Sequence, residues 1–292
     1  MTEQPNKNPQ WNPSVKVPSF IKWIGKTLQF ISPELAAKFS RFLFKRPFRH
    51  QPKADELEWR KKATITDLYV PGIHKNIKVY KWGKGNLKIL LVHGWSGRAT
   101  QMYHLIEALL KNGYEVYAFD APAHGLSESR STLMLEFMES IKETSKHFGP
   151  FYGIIGHSMG GIASINTLGR DWIKTKKLIT VGIPDSITDI FYRFVEMLGL
   201  KSDIAEKNLK YMKNHYGVDV EELHGSYQAK NIHIPVLVIH DKTDREVPYT
   251  EALKIVEALP KGELYLTEGL GHTRILRNAE VIEKMINFLK EK

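Results

Sequence analysis

The chain has 292 residues, 42% of them apolar and 25% charged, with a formal net charge of +10 and no cysteine. That length buries a full core and suits one α/β domain with an insertion, while the missing thiol excludes disulfides, thiolate metal sites and a cysteine nucleophile. No stretch approaches the roughly 18 uninterrupted apolar residues of a membrane span, and the polar, proline-containing start lacks the apolar core of a signal peptide, so a cytoplasmic location is expected.

The charge is uneven. Residues 1–62 hold 13 Lys/Arg against 5 Asp/Glu (+8), and the remainder holds 29 against 27 (+2). Residues 1–14 read as disordered. Residues 18–50 mix aromatics such as Phe20, Trp23, Phe30 and Phe42 with cations such as Lys22, Lys26 and Arg41. Ser32-Pro33-Glu34 predicts a helix start, with a capping serine, proline in the first turn and an acid near the N-terminus, and that helix should end before Pro47. This basic arm, 1–62, has three readings. It folds back on the rest of the chain, it lies on an anionic membrane surface, or it binds nucleic acid. No nucleic-acid motif accompanies the charge, so no nucleic-acid partner is expected.

From residue 63 short β-rich runs appear, at 65–70, 77–82, 87–93, 114–120, 151–156, 177–183, 234–240 and 263–267. Helix-length segments follow the later ones, at 100–111, 133–148, 161–173, 250–259 and 279–290. The first two runs predict an antiparallel hairpin, and the alternation of the others predicts a parallel sheet built by helical crossovers. Residues 184–230 break the alternation. They hold no convincing strand and carry apolar residues at helical spacing, which reads as a helical insertion.

The most informative five residues are Gly156-His157-Ser158-Met159-Gly160. An apolar run precedes them and small, helix-compatible residues follow, the pattern of a serine held on a strained strand-to-helix turn. The glycines keep the crowded backbone free of side chains. The helix start turns free N–H groups toward any oxyanion formed there. A serine hydroxyl needs a base within reach and a partner that orients that base. Two later strand ends supply candidates: Asp241 and Asp244 after one run, and His272 in Gly-Leu-Gly-His after the last. His93, His124, His157 and His240 also fall near strand ends. None has the spacing of a metal-ligand pair, so hydrogen bonding is the expected role of all four. Asp120 and Ser127 are expected to shape the turn after their strand.

Taken together, His93-Gly94-Trp95, the Asp120 to Ser127 segment, the turn at Ser158, Asp-x-x-Asp-x-x-Val-Pro at 241–248 and Gly-x-Gly-His at 269–272 resemble the α/β-hydrolase fold superfamily over roughly residues 63–292. The resemblance implies an α/β fold, a mostly parallel eight-stranded sheet with flanking helices plus a helical cap insertion. The core would comprise 63–183 and 231–292, with the cap at 184–230. It implies Ser158 as nucleophile, Asp244 as acid and His272 as base. The backbone N–H groups of Trp95 and Met159 would form the oxyanion hole, and no cofactor or metal is required. Trp95, Phe191, Phe194, Met197, Tyr211 and Met212 are candidates for the substrate pocket.

The expected activity is a serine hydrolase acting on a small-molecule acyl substrate, a carboxylic ester or thioester, through an acyl-enzyme. The same triad also serves lipid-active hydrolases (monoacylglycerol or lysophospholipid), C–C bond hydrolases and aminopeptidases. A non-catalytic binding module that kept the fold is the rival from another class. A lipid-active enzyme would use the arm for peripheral membrane contact.

Overall fold

The computed structural model describes residues 17–291; the segment expected to be disordered, 1–14, lies outside them. Eight strands form one sheet: β1 (Thr64–Val70), β2 (Lys75–Trp82), β3 (Leu87–Val92), β4 (Tyr114–Asp120), β5 (Gly153–His157), β6 (Lys177–Val181), β7 (Val236–Asp241) and β8 (Gly262–Thr267). Their spatial order is β1-β2-β4-β3-β5-β6-β7-β8. The β1–β2 and β2–β4 pairs are antiparallel, and the other five are parallel.

The central strands β4, β5, β6 and β7 are buried along their whole length, which is why they read as near-continuous apolar runs, whereas β8 at the sheet edge is only half-buried. Alternate residues of one strand feed different layers. Leu90 and Val92 of β3 join a core with Phe137, Ile162 and Ile255, whereas Ile89 and Leu91 join a second core with Leu105, Ile106 and Met285. The first core is closed by α5 (Met134–Phe148), α6 (Met159–Gly169) and α10 (Tyr249–Ala258). The second is closed by α4 (Tyr103–Lys111) and α12 (Ala279–Lys290). Between β6 and β7 the chain leaves the sheet to form α7 (Ile187–Met197), α8 (Asp203–Tyr216) and the short α9 (Gly225–Ala229). One turn of helix, α11 (Gly271–Arg274), follows β8. Among the described residues no helix is long and apolar enough to cross a membrane.

The basic segment carries three helices where the sequence pointed to one: α1 (Ser19–Ile31), α2 (Pro33–Phe44) and α3 (Ala54–Lys61). Ser32 does occupy the position before α2 and Pro33 its first turn, but the Ser32 hydroxyl makes no capping bond. The segment folds back on the rest of the molecule. Asn208 on α8 bonds Ser40 Oγ at 2.9 Å and accepts from the Arg41 guanidinium at 2.9 Å. Lys45 Nζ donates to Tyr216 at 2.7 Å. Arg49 donates to the carbonyls of Ala123, Ser127 and Ser129 at 2.9, 2.9 and 3.0 Å. Three cations of the basic segment, Arg41, Lys45 and Arg49, thus tie α2 and its exit to distant elements.

Candidate active site

Ser158 sits between β5 and α6 with φ 50° and ψ −119°. That is a strained conformation for a residue with a side chain, of the kind retained where the surroundings hold it in place. Gly160 makes the turn feasible, because a Cβ there would lie 2.3 Å from the Val92 carbonyl oxygen and 2.5 Å from that of His93. The Ser158 N–H donates to the Val181 carbonyl at 2.9 Å, which fixes the turn to β6.

His272 and Asp244 arrive from the ends of β8 and β7. His272 Nδ1 lies 2.7 Å from Asp244 Oδ2. The other carboxylate oxygen, Oδ1, accepts the N–H groups of Glu246 and Val247 at 2.8 and 3.0 Å. His240, buried under the loop, donates Nε2–H to the Val247 carbonyl at 2.9 Å and lies 3.4 Å from Asp244 Oδ2. Burial opposes the Asp244 charge, but the bonds from His240 and His272 prevail and hold its pKa well below the usual carboxylate range. Burial also works against a charged His272. The Asp244 hydrogen bond and charge, with Glu246 behind them, outweigh it, and the His272 pKa is raised above 6.5.

Asp241 does something else. Its Oδ1 accepts from the Thr243 N–H and hydroxyl at 2.9 and 2.6 Å, and its Oδ2 accepts from Thr267 Oγ1 and the Leu270 N–H at 2.7 and 2.9 Å. It ties the loop after β7 to the segment that carries His272. Of the two aspartates that the sequence offered, the structure brings Asp244 to His272 and gives Asp241 to the threonine hydroxyls and N–H groups of the two loops.

The four other histidines hydrogen-bond to backbone, and their partners fix their tautomers. His93 donates Nδ1–H to the Gly94 carbonyl at 2.7 Å and accepts the Ala121 N–H on Nε2 at 3.0 Å. His124 donates Nδ1–H to the Pro122 carbonyl at 3.0 Å and accepts the Ser96 N–H on Nε2 at 3.0 Å. These two rings lie 4.9 Å apart, and His124 meets the Trp95 ring of the loop after β3 edge-on at 5.6 Å. Burial pushes the His124 pKa down to about 2, so it stays neutral and keeps one acceptor nitrogen. His157 donates Nε2–H to the His272 carbonyl at 2.9 Å. Burial, then the neighbouring His272, lowers the His157 pKa to about 3. Asp120 accepts the Ala99 and Leu126 N–H groups at 2.8 and 2.8 Å and the Tyr80 hydroxyl at 2.7 Å, while Ser127 accepts the Lys78 N–H at 2.8 Å. Both shape the turn after β4.

Ser158, Met159, Trp95 and His272 all line one cavity of about 730 Å³. Phe191, Phe194, Met197 and Met212 from α7 and α8 line it as well. Tyr211 requires a correction. It turns away, stacking on His215 at 4.8 Å with the Arg41 guanidinium 4.2 Å from its ring centre. A step of one residue rotates a helical side chain by about 100°, so Tyr211 and its neighbour Met212 serve different faces. The basic segment supplies walls that sequence reasoning missed, among them Val17, Ile21, Leu43 and Phe44. Phe44 stacks on Phe191 at 4.5 Å, meets Phe194 edge-on at 5.1 Å and reaches Trp95 at 6.3 Å. In the sequence Phe44 stood only among the aromatics mixed with cations over residues 18–50.

A family model for the alpha/beta hydrolase fold matches residues 89–200, and one described as TAP-like protein matches residues 216–291. The chain is 22% identical over 258 residues to a pimeloyl-[acyl-carrier protein] methyl ester esterase of Yersinia pseudotuberculosis, covering 74% of this chain and 98% of that one. It is 24% identical over 256 residues to a 2-hydroxy-6-oxononadienedioate/2-hydroxy-6-oxononatrienedioate hydrolase of Paraburkholderia phymatum, covering 70% and 87%. Among solved structures, an esterase of Pyrococcus furiosus superposes with a TM-score of 0.63 at 21% identity, covering 84% of this chain and 98% of that one.

Proposed function

We propose that this chain, which belongs to the α/β-hydrolase superfamily and is a hydrolase, cleaves a carboxylic ester or thioester through an acyl-enzyme on Ser158. The observation that carries the reading is the 2.7 Å contact between His272 Nδ1 and Asp244 Oδ2, on a histidine that shares one cavity with Ser158. A carboxylate at Nδ1 fixes the proton there and leaves Nε2 as the basic nitrogen.

His272 takes the Ser158 proton as Oγ attacks the acyl carbonyl. The imidazolium so formed is stabilised by Asp244. The N–H groups of Met159, at the start of α6, and of Trp95 receive the tetrahedral oxyanion, each contributing about 3 kcal/mol to the barrier reduction. His272 then protonates the departing alcohol or thiol, and the carbonyl re-forms as the acyl-enzyme. Water enters by the same path. His272 takes its proton, hydroxide adds to the acyl carbonyl, and Ser158 leaves with the proton returned.

The apolar walls favour an uncharged acyl chain over the dicarboxylate in the name of the Paraburkholderia relative. Among the cationic groups beside the cavity, Arg193 is held by Glu251 at 2.5 Å and Arg46 lies 3.5 Å over the Phe42 ring. The test is a fluorophosphonate probe followed by a series of p-nitrophenyl esters. The expected result is labelling and ester turnover by the wild type, both lost in Ser158→Ala. A folded wild type that neither labels nor turns over any ester would point instead to a binding module.

A further inference from the structure

We propose that the outward face of α1 and α2 docks this protein on an anionic lipid bilayer, with the cavity wall turned toward the lipid. On α1, Phe20, Trp23 and Ile31 are 64, 68 and 66% exposed and Phe30 is 91% exposed. At 100° per residue these four fall within an arc of about 100°. On α2, Leu35 and Phe42 are exposed as well, at 41 and 54%. Their spacing of seven residues puts them on one stripe, with Lys38 between them. Soluble proteins rarely leave so many large apolar groups together in water without an occupant for them.

Charge identifies the occupant. Between residues 17 and 50 there are seven Lys/Arg and a single acid, Glu34, and Glu34 is held by Lys207 at 2.6 Å. Lys26, Lys38 and Arg46 are exposed beside the apolar stripe. Aromatic and aliphatic residues in the middle with cations at the margin are the composition of helices that lie in a bilayer interface, where rings enter the headgroup boundary and cations meet anionic lipid. A partner protein would be expected to find lysine scarce in the contact.

The opposite faces of the same two helices complete the argument. Val17, Pro18 and Ile21 at the start of α1, and Leu43 and Phe44 at the end of α2, line the cavity above Ser158. Docking therefore sets an apolar wall of the cavity between the reacting serine and the acyl layer. The inference rests on exposure and charge, independently of the chemistry assigned to Ser158.

The experiment is flotation of the full chain with vesicles of phosphatidylcholine alone and of phosphatidylcholine with phosphatidylglycerol in equal parts. The wild type should float with the anionic vesicles and be released by salt. Phe20→Ser, Trp23→Ser and Phe30→Ser combined should weaken binding at least tenfold. Lys26→Glu with Lys38→Glu should weaken it roughly fivefold for each cation removed. None of these five residues lines the cavity, so thermal midpoint and fluorophosphonate labelling should hold in both variants. Should the triple variant unfold, the charge variant and the salt dependence still decide. A wild type that stays with the soluble fraction, or variants that float like the wild type, would overturn the proposal. So would a wild-type dimer in solution that the triple variant splits, since the occupant would then be a second copy of the chain.

Discussion

The floor of the cavity is built of backbone groups and polar side chains locked together by hydrogen bonds. Its roof is built of rings and aliphatic chains from α2, α7 and α8. On the floor, Asp244 accepts two backbone N–H groups as well as a histidine, and His93 and His124 tie the loops after β3 and β4 to each other. On the roof, Phe44 holds Phe191 and Phe194 by ring contact alone. Directional bonds define positions to a fraction of an ångström, which acyl transfer demands. Apolar packing defines a volume and tolerates substitution. Reaction class should therefore be sensitive to the floor and substrate range to the roof.

The sharpest way to break that division is Asp244→Asn. The amide preserves shape but removes the charge and favours the wrong imidazole tautomer, so kcat should fall about 10⁴-fold. The residual activity carries a second readout. In the wild type the free base of His272 forms only as pH rises through a pKa above 6.5, so activity should climb over that range. Without the carboxylate, burial is left as the dominant influence, and the acid limb should move to lower pH. A pH–rate profile whose acid limb stays in place would detach Asp244 from the base.

A smaller effect is expected from His124→Phe. The phenyl ring fills the space but offers no acceptor to the Ser96 N–H, one residue from Trp95, whose N–H is proposed for the oxyanion hole. Kcat should fall about tenfold, well short of the full loss of an oxyanion donor, with KM for short esters little changed. Equal loss in KM and kcat would assign His124 to binding instead.

Asp241 gives a stability prediction with a defined sign. Burial opposes its charge, yet the bonds from Thr243, Gly271, Thr267 and Leu270 carry its pKa from 3.8 down to about 2. The folded-state value is the lower one, so its stabilisation is present above 3.8 and is lost as pH falls toward 2. Urea midpoints of the wild type and Asp241→Asn should converge across that window and differ by a constant amount above it. Parallel curves at all pH values would remove the charge from the explanation.

The same contrast governs what could be read from the chain. The floor was legible because each of its parts sits at a strand end, where short local patterns such as Gly-x-Ser-x-Gly record the local geometry. The β1–β2 hairpin and the parallel strands joined by helical crossovers were visible as apolar runs, but the placement of β4 between β2 and β3 was not. The roof was legible only in part. Helical periodicity marked Phe191 and Phe194 as an apolar face but left their neighbour unnamed, and that neighbour, Phe44, lies 147 positions earlier than Phe191 in the chain. Tyr211 shows the limit at finer scale. Its ring belongs to Arg41 and the side chain of the adjacent Met212 to the cavity, a difference of helix phase that spacing alone did not resolve. The arm's cations left three readings open for a related reason, since Arg41, Lys45 and Arg49 find their partners far along the chain, on α8 and on the loop after β4.

The most selective test of the roof is Phe44→Ala. The substitution removes a stack at 4.5 Å and an edge contact at 5.1 Å while leaving every floor hydrogen bond in place. Aromatic pairs of this kind contribute about 0.5–1.5 kcal/mol beyond the area they bury. The wall opens while the hydrogen bonds around Ser158 remain, so p-nitrophenyl acetate, with its two-carbon acyl group, should keep its kcat/KM within about twofold. Octanoate, whose chain would run along the wall, should lose about tenfold, since a missing hydrophobic contact is worth roughly 1–3 kcal/mol in discrimination. A parallel drop for both esters would mean that the ring props up the floor, and the separation of reaction class from substrate range would fail at its most exposed joint.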